Sequence, residues 1–332
     1  MIIVTGASGF IGSNVVADLN AVGRTDLMLI DTLGMESKWK NIAKRRFEDI
    51  LPPGELPALL SKLSGCECVY HLGANSSTTA VDGDEVWSSN FRTSKILWEW
   101  CSATGTPFIY ASSAATYGDG AAGFDDDEST AAMDALRPLN LYGWSKHAFD
   151  KWAVAHASAG HAPPRWCGLK FFNVYGPNES HKGEMRSLVS KNTPRIAAGE
   201  PVRLFKSYLQ GFAAGEQLRD FIYVKDCTRV MLWLAGQTSV DRKASVNGIY
   251  NLGTGQARSF LALVHAIGKA LNLEVQVEFV EMPEAIRPNY QYFTQARMAK
   301  LCDAGYPAAF HSLEAGVADY VLEYLVKPDI YR

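Results

Sequence analysis

Apolar residues in the first half of the chain follow two alternating patterns. Short unbroken runs occupy Ile2–Thr5, Leu27–Ile30 and residues 68–72, 108–111 and 167–172. Runs of this length, bounded by turn-forming or polar residues, fit strands buried on both faces of a sheet. Between them lie longer stretches, residues 10–19, 90–103 and 142–157, whose apolar positions recur three and four apart. That spacing gathers apolar side chains on one face of a helix. Strands alternating with helices predict a parallel sheet covered on both sides. After Gly176-Pro177 the pattern changes to long polar, glycine-containing loops, with helices expected near 184–198, 226–236 and 259–271.

The first strand runs directly into Gly6-Ala7-Ser8-Gly9-Phe10-Ile11-Gly12, which opens the first helix. Each glycine has its own reason to be there. Gly6 permits the tight turn, Gly9 lets the backbone approach a pyrophosphate, and Gly12 lets helix and strand pack closely. The helix N-terminus then presents free N–H groups and a positive dipole end to the anion. Asp31 ends the second strand, where an acid in such a unit meets the adenosine ribose. The spacing, GxxGxxG between a strand and a helix, predicts dinucleotide binding.

The expected fold class is therefore α/β, a Rossmann doubly wound parallel sheet with a smaller mixed α/β C-terminal substrate lobe. Residues 1–176 form the dinucleotide-binding domain, later segments such as 219–255 return to it, and 177–332 are largely the substrate-binding lobe. Lys38, Lys40, Lys44, Arg45 and Arg46 follow Asp31. They fit either a solvated helix face or a cation set that neutralises a 2′-phosphate, so both NADP and NAD stay open.

Tyr142-Gly143-Trp144-Ser145-Lys146 places a tyrosine and a lysine four apart, on one helix face. An isolated phenol has a pKa of about 10, too high for a base at neutral pH. A neighbouring ammonium favours the phenolate. Ser112-Ser113 ends the strand predicted at 108–111, at the edge of the sheet where such folds place ligands. A hydroxyl there can serve a substrate oxygen that gains or loses a proton. Arg219 leaves two readings: a guanidinium gripping a diphosphate, or an ion pair with Asp220.

Composition narrows the classes. With 47% hydrophobic and 20% charged residues the chain is an ordinary globular one, and a net charge of −3 argues against nucleic-acid and polybasic membrane partners. The start, Met1-Ile2-Ile3-Val4-Thr5-Gly6, lacks a basic n-region, and no apolar run is long enough to span a membrane, so a cytoplasmic location is expected. The 6 cysteines show only Cys66 and Cys68 close together, which is no usual zinc spacing, and no metal is expected. Asp125-Asp126-Asp127-Glu128 reads as a solvated loop.

TGASGFIG, HLGANSSTT (71–79), YASSAATYG (110–118), LNLYGWSK (139–146) and FFNVYGP (171–177) resemble extended short-chain dehydrogenases/reductases. SSTT at 76–79, His181-Lys182-Gly183, Arg219-Asp220-Phe221, and Tyr290-Gln291 before Phe293-Thr294-Gln295-Ala296 are similar to the ADP-glycero-manno-heptose 6-epimerase family. The resemblance runs from residue 1 to about 325. It implies a homo-oligomeric, NADP-dependent isomerase that inverts C6″ of an ADP-sugar used in the lipopolysaccharide inner core. It implies Tyr142 and Lys182 as acid/base groups, Ser113 at the substrate oxygen and Lys146 on the cofactor. The cofactor site it implies comprises Gly6, Gly9, Phe10, Ile11, Gly12, Asp31, Thr32, Lys38, Leu72, Gly73, Ala74, Asn75, Ser76, Asn90, Val174 and Lys182. Substrate contacts are implied for Ser113, Asn173, Glu184, Lys191, Phe205, Arg219 and Tyr290. Glu184, Lys191 and the length of the 205–219 segment depart from that family's pattern. A 4,6-dehydratase needs an acid/base pair where Ala114-Ala115 stand. A nonenzymatic dinucleotide sensor needs no Ser113, Tyr142 and Lys146 together.

Overall fold

The computed structural model describes residues 1–236 and 246–332. Its strands are β1 (Ile2–Thr5), β2 (Leu27–Ile30), β3 (Asp49–Leu51), β4 (Cys68–His71), β5 (Phe108–Ser113), β6 (Trp166–Phe171), β7 (Asn173–Tyr175), β8 (Val202–Phe205), β9 (Leu218–Tyr223), β10 (Gly248–Leu252), β11 (Ala257–Ser259) and β12 (Val277–Val280). Seven of them form one sheet in the order β10-β6-β5-β4-β1-β2-β3, with every neighbouring pair parallel. The expected doubly wound α/β architecture is thus present. The chain leaves β1 toward β2 and β3, then crosses back to β4 on the other side. The carboxyl ends of β1 and β4 therefore border the crevice at the switch point, where ligands of such sheets bind.

Each face of the sheet is closed by its own apolar layer. Val15, Val16 and Leu19 of the helix Phe10–Ala21, with Val230, Met231 and Leu234 of the helix Val224–Ala235, cover one face. Leu97 and Trp98 of the helix Thr93–Thr104, with Phe149 and Ala153 of the helix Leu141–Ser158, cover the other. A second core gathers Val189, Ile196, Val202, Leu204, Leu263, Ile267 and Val317. It underlies the lobe that holds β12-β8 and the three-stranded β11-β9-β7.

Three expectations change. The helix expected over 90–103 begins earlier, at Gly83, where the Asp82 side chain caps Glu85 N. It passes through a π turn at Trp87–Arg92 before Thr93–Thr104. The helix expected near 184–198 shortens to Leu188–Ala197, because Arg186 and Ser187 are extended (ψ 152 and 157) and part it from the Ser180–Met185 turn, which is itself kinked at Gly183 (φ 55, ψ −124). The acidic run is not simply solvated. Asp125 and Asp127 are exposed, but Asp126 Oδ2 accepts from Asn251 N (2.8 Å) and Glu128 Oε1 from Ile249 N (2.7 Å). Lys300 Nζ donates to Ile249 O (2.8 Å) and pairs with Glu128. Side chains thereby occupy the edge of β10 that no strand among the described residues pairs, which blunts it against intermolecular pairing. Among the described residues no helix is long and apolar enough to cross a membrane, and no His/Cys/Asp/Glu cluster could hold a metal ion.

Candidate functional site

The glycine turn has the geometry its spacing predicts. Gly6 adopts φ +65, in the left-handed region, and a Cβ there would lie 2.6 Å from Gly73 N. Gly9 is the extended residue before the helix Phe10–Ala21 and offers no side-chain cap, so the first N–H groups of the helix open into the crevice. Two cavities of about 460 and 490 Å³ line this crevice and share Gly6, Asp31, Gly73 and Ala74. The first is bordered by Gly9, Phe10, Ile11, Gly12, Lys38, Leu72, Ser76, Lys146, Val174 and Lys182, and the second by Thr32 and Asn75. A cradle that any Cβ would fill, at a helix N-terminus, fits a dinucleotide pyrophosphate.

Asp31 is less free than its position at the strand end suggests. Its carboxylate accepts from Ser8 N (2.8 Å), Ser8 Oγ (2.6 Å), Thr32 N (2.7 Å) and Lys38 Nζ (2.6 Å). Lys38 is therefore held against an already well-satisfied carboxylate on the wall of the first cavity. The rest of the basic stretch lies elsewhere. Lys44 pairs with Asp329 and donates to Tyr331 O, and Arg45 donates to Arg332 O. Asn90 lines neither cavity. It is fully buried, with Oδ1 accepting from Asn75 N (2.8 Å) and Nδ2 donating to Asn75 O (2.9 Å) and Ser145 Oγ (2.9 Å). It shapes the Asn75 loop from behind.

A third cavity, of about 580 Å³, shares Ser113, Tyr142, Phe171 and Phe172 with the first. The two spaces meet at the serine–tyrosine pair. Ser113 ends β5, and its Oγ accepts from Ala115 N (3.1 Å). The helix carrying Tyr142 starts at Asn140, whose side chain caps Gly143 N (2.8 Å). Gly143 itself lets that helix touch the Ser113 turn, because a Cβ there would lie 2.6 Å from Ala115 O. Burial pushes the Tyr142 phenol up, and the Ser113 hydroxyl pulls it back. One turn on, Lys146 is 3% exposed, and burial pushes it down to about 8 against the opposing pull of Asp150.

Asp150 was not singled out from sequence, although it continues the stripe of Tyr142 and Lys146 by one more turn. It is fully buried and accepts from Ser112 Oγ (2.6 Å) and Tyr110 OH (3.0 Å). Lys170, nearly as buried, sits over the Tyr117 ring (4.2 Å) on the next strand. His71 closes the floor beside Lys146. Thr5 Oγ1 accepts from Leu72 N and Gly73 N, so its proton goes to His71 Nδ1 (2.7 Å) and the imidazole Nε2–H points to Ser94 Oγ (2.8 Å). Burial and then Lys146 hold this imidazole neutral, down to about 3.

The Ser180–Met185 turn brings Lys182 to the first cavity, with Nζ 5.2 Å from the Phe10 ring. Burial lowers its pKa, with Glu179 opposing. His181 anchors the turn through Asn41 Nδ2 (3.0 Å). In the third cavity, Asn173, Arg219 and Tyr290 join Ser113. The Arg219 guanidinium lies between the Phe260 and Tyr290 rings (5.4 and 5.3 Å) and donates to the carbonyls of Leu218 and Gln291. It does not pair with Asp220, whose carboxylate is spent on Thr254, Gly255 and Ala296. Glu184 and Lys191 line none of these three cavities. Glu184 is 96% exposed and pairs with Lys191 (3.0 Å). Phe205 also stands back, its ring 6.2 Å from that of Tyr290. The long segment after it packs on residues 281–292 through Lys206–Glu281 and Tyr208 N to Tyr292 OH (3.0 Å).

Residues 2–253 match the NAD dependent epimerase/dehydratase family. A protein of Nitratidesulfovibrio vulgaris named ADP-L-glycero-D-manno-heptose-6-epimerase is 46% identical over 338 residues, 99% of either chain. One of the same name from Fusobacterium nucleatum is 46% identical over 340 residues, the whole of both chains. The crystal structure of the Helicobacter pylori ADP-L-glycero-D-manno-heptose-6-epimerase superposes with a TM-score of 0.77 at 27% identity, covering 97% of this chain and 95% of that one.

Proposed function

The chain belongs to the NAD dependent epimerase/dehydratase family, and on that premise we propose that it is an isomerase that inverts C6″ of ADP-glycero-manno-heptose without net redox change. The observation that carries this reading is the meeting of a dinucleotide cavity and a second cavity at Ser113 and Tyr142. An alcohol carbon held there has a proton acceptor on one side and the cofactor on the other. The bound dinucleotide supplies a hydride acceptor that returns the same hydride.

The chain's own groups handle the proton. Tyr142 takes it from the C6″ hydroxyl, with Ser113 hydrogen-bonded to the same oxygen. Lys146 supplies the charge that favours phenolate and holds the cofactor ribose. The resulting ketone turns its other face before reduction, so its oxygen needs a second proton donor. Lys182, on the wall of the same cavity as Tyr142, serves that orientation. Arg219 grips the diphosphate, with Tyr290 and Asn173 beside it. NADP is the preferred cofactor, because Lys38 pairs with Asp31 and so lowers the repulsion that this carboxylate would offer a 2′-phosphate. The protein acts as a cytoplasmic homo-oligomer, and its product is an activated heptose for the lipopolysaccharide inner core.

The decisive experiment incubates the purified protein with ADP-D-glycero-β-D-manno-heptose and no reductant, following C6″ by NMR. Conversion to the L-glycero epimer with constant cofactor absorbance supports the proposal. A reductase consumes cofactor stoichiometrically, and a sensor binds it without turnover. A tighter Kd for NAD than for NADP would overturn the cofactor preference alone.

A further inference from the structure

Thr294 stands out on the wall of the third cavity. Its side chain is 4% exposed, and its Oγ1 has no hydrogen-bond partner among the described residues. A buried hydroxyl left unpaired costs free energy that valine, with the same shape, does not incur. The ligand-free protein therefore carries a cost at this position that a ligand can relieve.

The backbone fixes what that ligand group is. Thr294 N donates to Leu218 O (3.2 Å), and Phe293 bridges to Leu218. Arg219 is the next residue along β9, and its guanidinium lies against the Tyr290 ring on the same segment as Thr294. The hydroxyl and the guanidinium thus belong to adjoining rungs of one pairing and line one cavity. Arg219 uses two nitrogens on backbone carbonyls, which holds its guanidinium in place on the wall of this cavity. A neutral hydroxyl beside a fixed cation completes a site for an oxyanion.

We propose that Thr294 is a substrate-binding residue that donates its hydroxyl to the diphosphate of the nucleotide sugar, next to Arg219. This rests on the nucleotide-sugar reading above. Relieving an unpaired hydroxyl on binding makes the interaction selective for a ligand with an acceptor oxygen at that point.

ADP titrated calorimetrically into the NADP-loaded protein tests this, since the cofactor cavity is then filled. Thr294→Val should raise the Kd for ADP by about tenfold or more, the range for a hydrogen bond to a charged group. Thr294→Ser should stay within about twofold of wild type. The melting temperature of ligand-free Thr294→Val should equal or exceed that of wild type, because the substitution removes the unpaired group. Wild-type affinity in Thr294→Val overturns the inference, as does a loss that serine fails to restore. Wild-type protein that binds no ADP would sink the nucleotide-sugar reading itself, and this inference with it.

Discussion

Alanine at Gly12 and alanine at Gly9 separate two jobs that one turn performs. A Cβ on Gly12 would sit 2.8 Å from the Gly6 carbonyl carbon and 3.0 Å from Ala7 Cα, and closer still to the Gly6 oxygen. Ordinary van der Waals contact begins near 3.4 Å, and the neighbours are backbone that cannot swing aside. The helix Phe10–Ala21 must then retreat from β1 by more than half an ångström. Overpacking of this kind costs about 1–3 kcal/mol, and a backbone obstacle puts Gly12→Ala at the upper end. At roughly 2–4 °C per kcal/mol for a chain of this size, its melting temperature should fall by about 5–10 °C. At Gly9 the same atom would lie 3.1 Å from Gly6 O, which a shift of a few tenths of an ångström relieves. Gly9 lines the first cavity, so its Cβ competes with the pyrophosphate instead. Gly9→Ala should melt within about 2 °C of wild type and bind NADPH at least tenfold more weakly, both orders of magnitude following from small strain and lost backbone approach. Scanning fluorimetry without cofactor and NADPH fluorescence titration read the two effects. A larger melting loss for Gly9→Ala than for Gly12→Ala would refute the division of roles.

Lys146→Met should stabilise the cofactor-free protein while slowing turnover at least a hundredfold. Burial takes this ammonium from the ordinary 10.5 to about 8, which corresponds to roughly 3 kcal/mol of stability withheld at neutral pH. Its folded pKa is lowered, so between pH 8 and 10.5 the unfolded chain binds the extra proton. This contribution to stability therefore rises with pH across that window, and the rise should vanish in the methionine variant when melting is followed against pH. Lys182→Met should lower kcat for epimerisation at least tenfold, and an unchanged kcat would remove Lys182 from the chemistry. Arg219→Ala should raise KM for the ADP-sugar more than it lowers kcat, and a normal KM would refute the diphosphate role.

Most of the parallel sheet was legible because its cues are local. Buried runs such as Ile2–Thr5 and Leu27–Ile30 carry their pattern within four residues, and the glycine spacing lies within one turn and one helix start. The short strands of the lobe gave no such signal. β7 and β11 have three residues each, too few for a period to register. The acidic run misled because charge alone cannot report a partner 125 residues away, where Asn251 N meets Asp126. Lys44 and Arg45 sit beside Lys38 in sequence but turn to residues 329–332, which no local pattern announces. Thr294 was visible inside a family-like motif, yet only the fold shows its hydroxyl unpaired in a cavity.

Asp150 shows how far such a motif extends beyond the residues that define it. Tyr142, Lys146 and Asp150 lie four apart on one helix, so the pair read from sequence is two-thirds of a stripe. The third member reaches across to Ser112, the residue beside Ser113, and to Tyr110 two positions earlier on β5. A single buried carboxylate thereby fixes the helix that carries the phenol against the strand that carries the hydroxyl. It also lies close enough to oppose the effect of burial on both Lys146 and Lys170. Geometry at the meeting point of the cavities is set one layer deeper, where solvent does not reach and a charged hydrogen bond holds its length. A lysine four residues after a tyrosine recurs by chance on many helices. A carboxylate a further turn on, bonded to the Ser112 and Tyr110 hydroxyls of β5, is what makes this pair a fixed constellation.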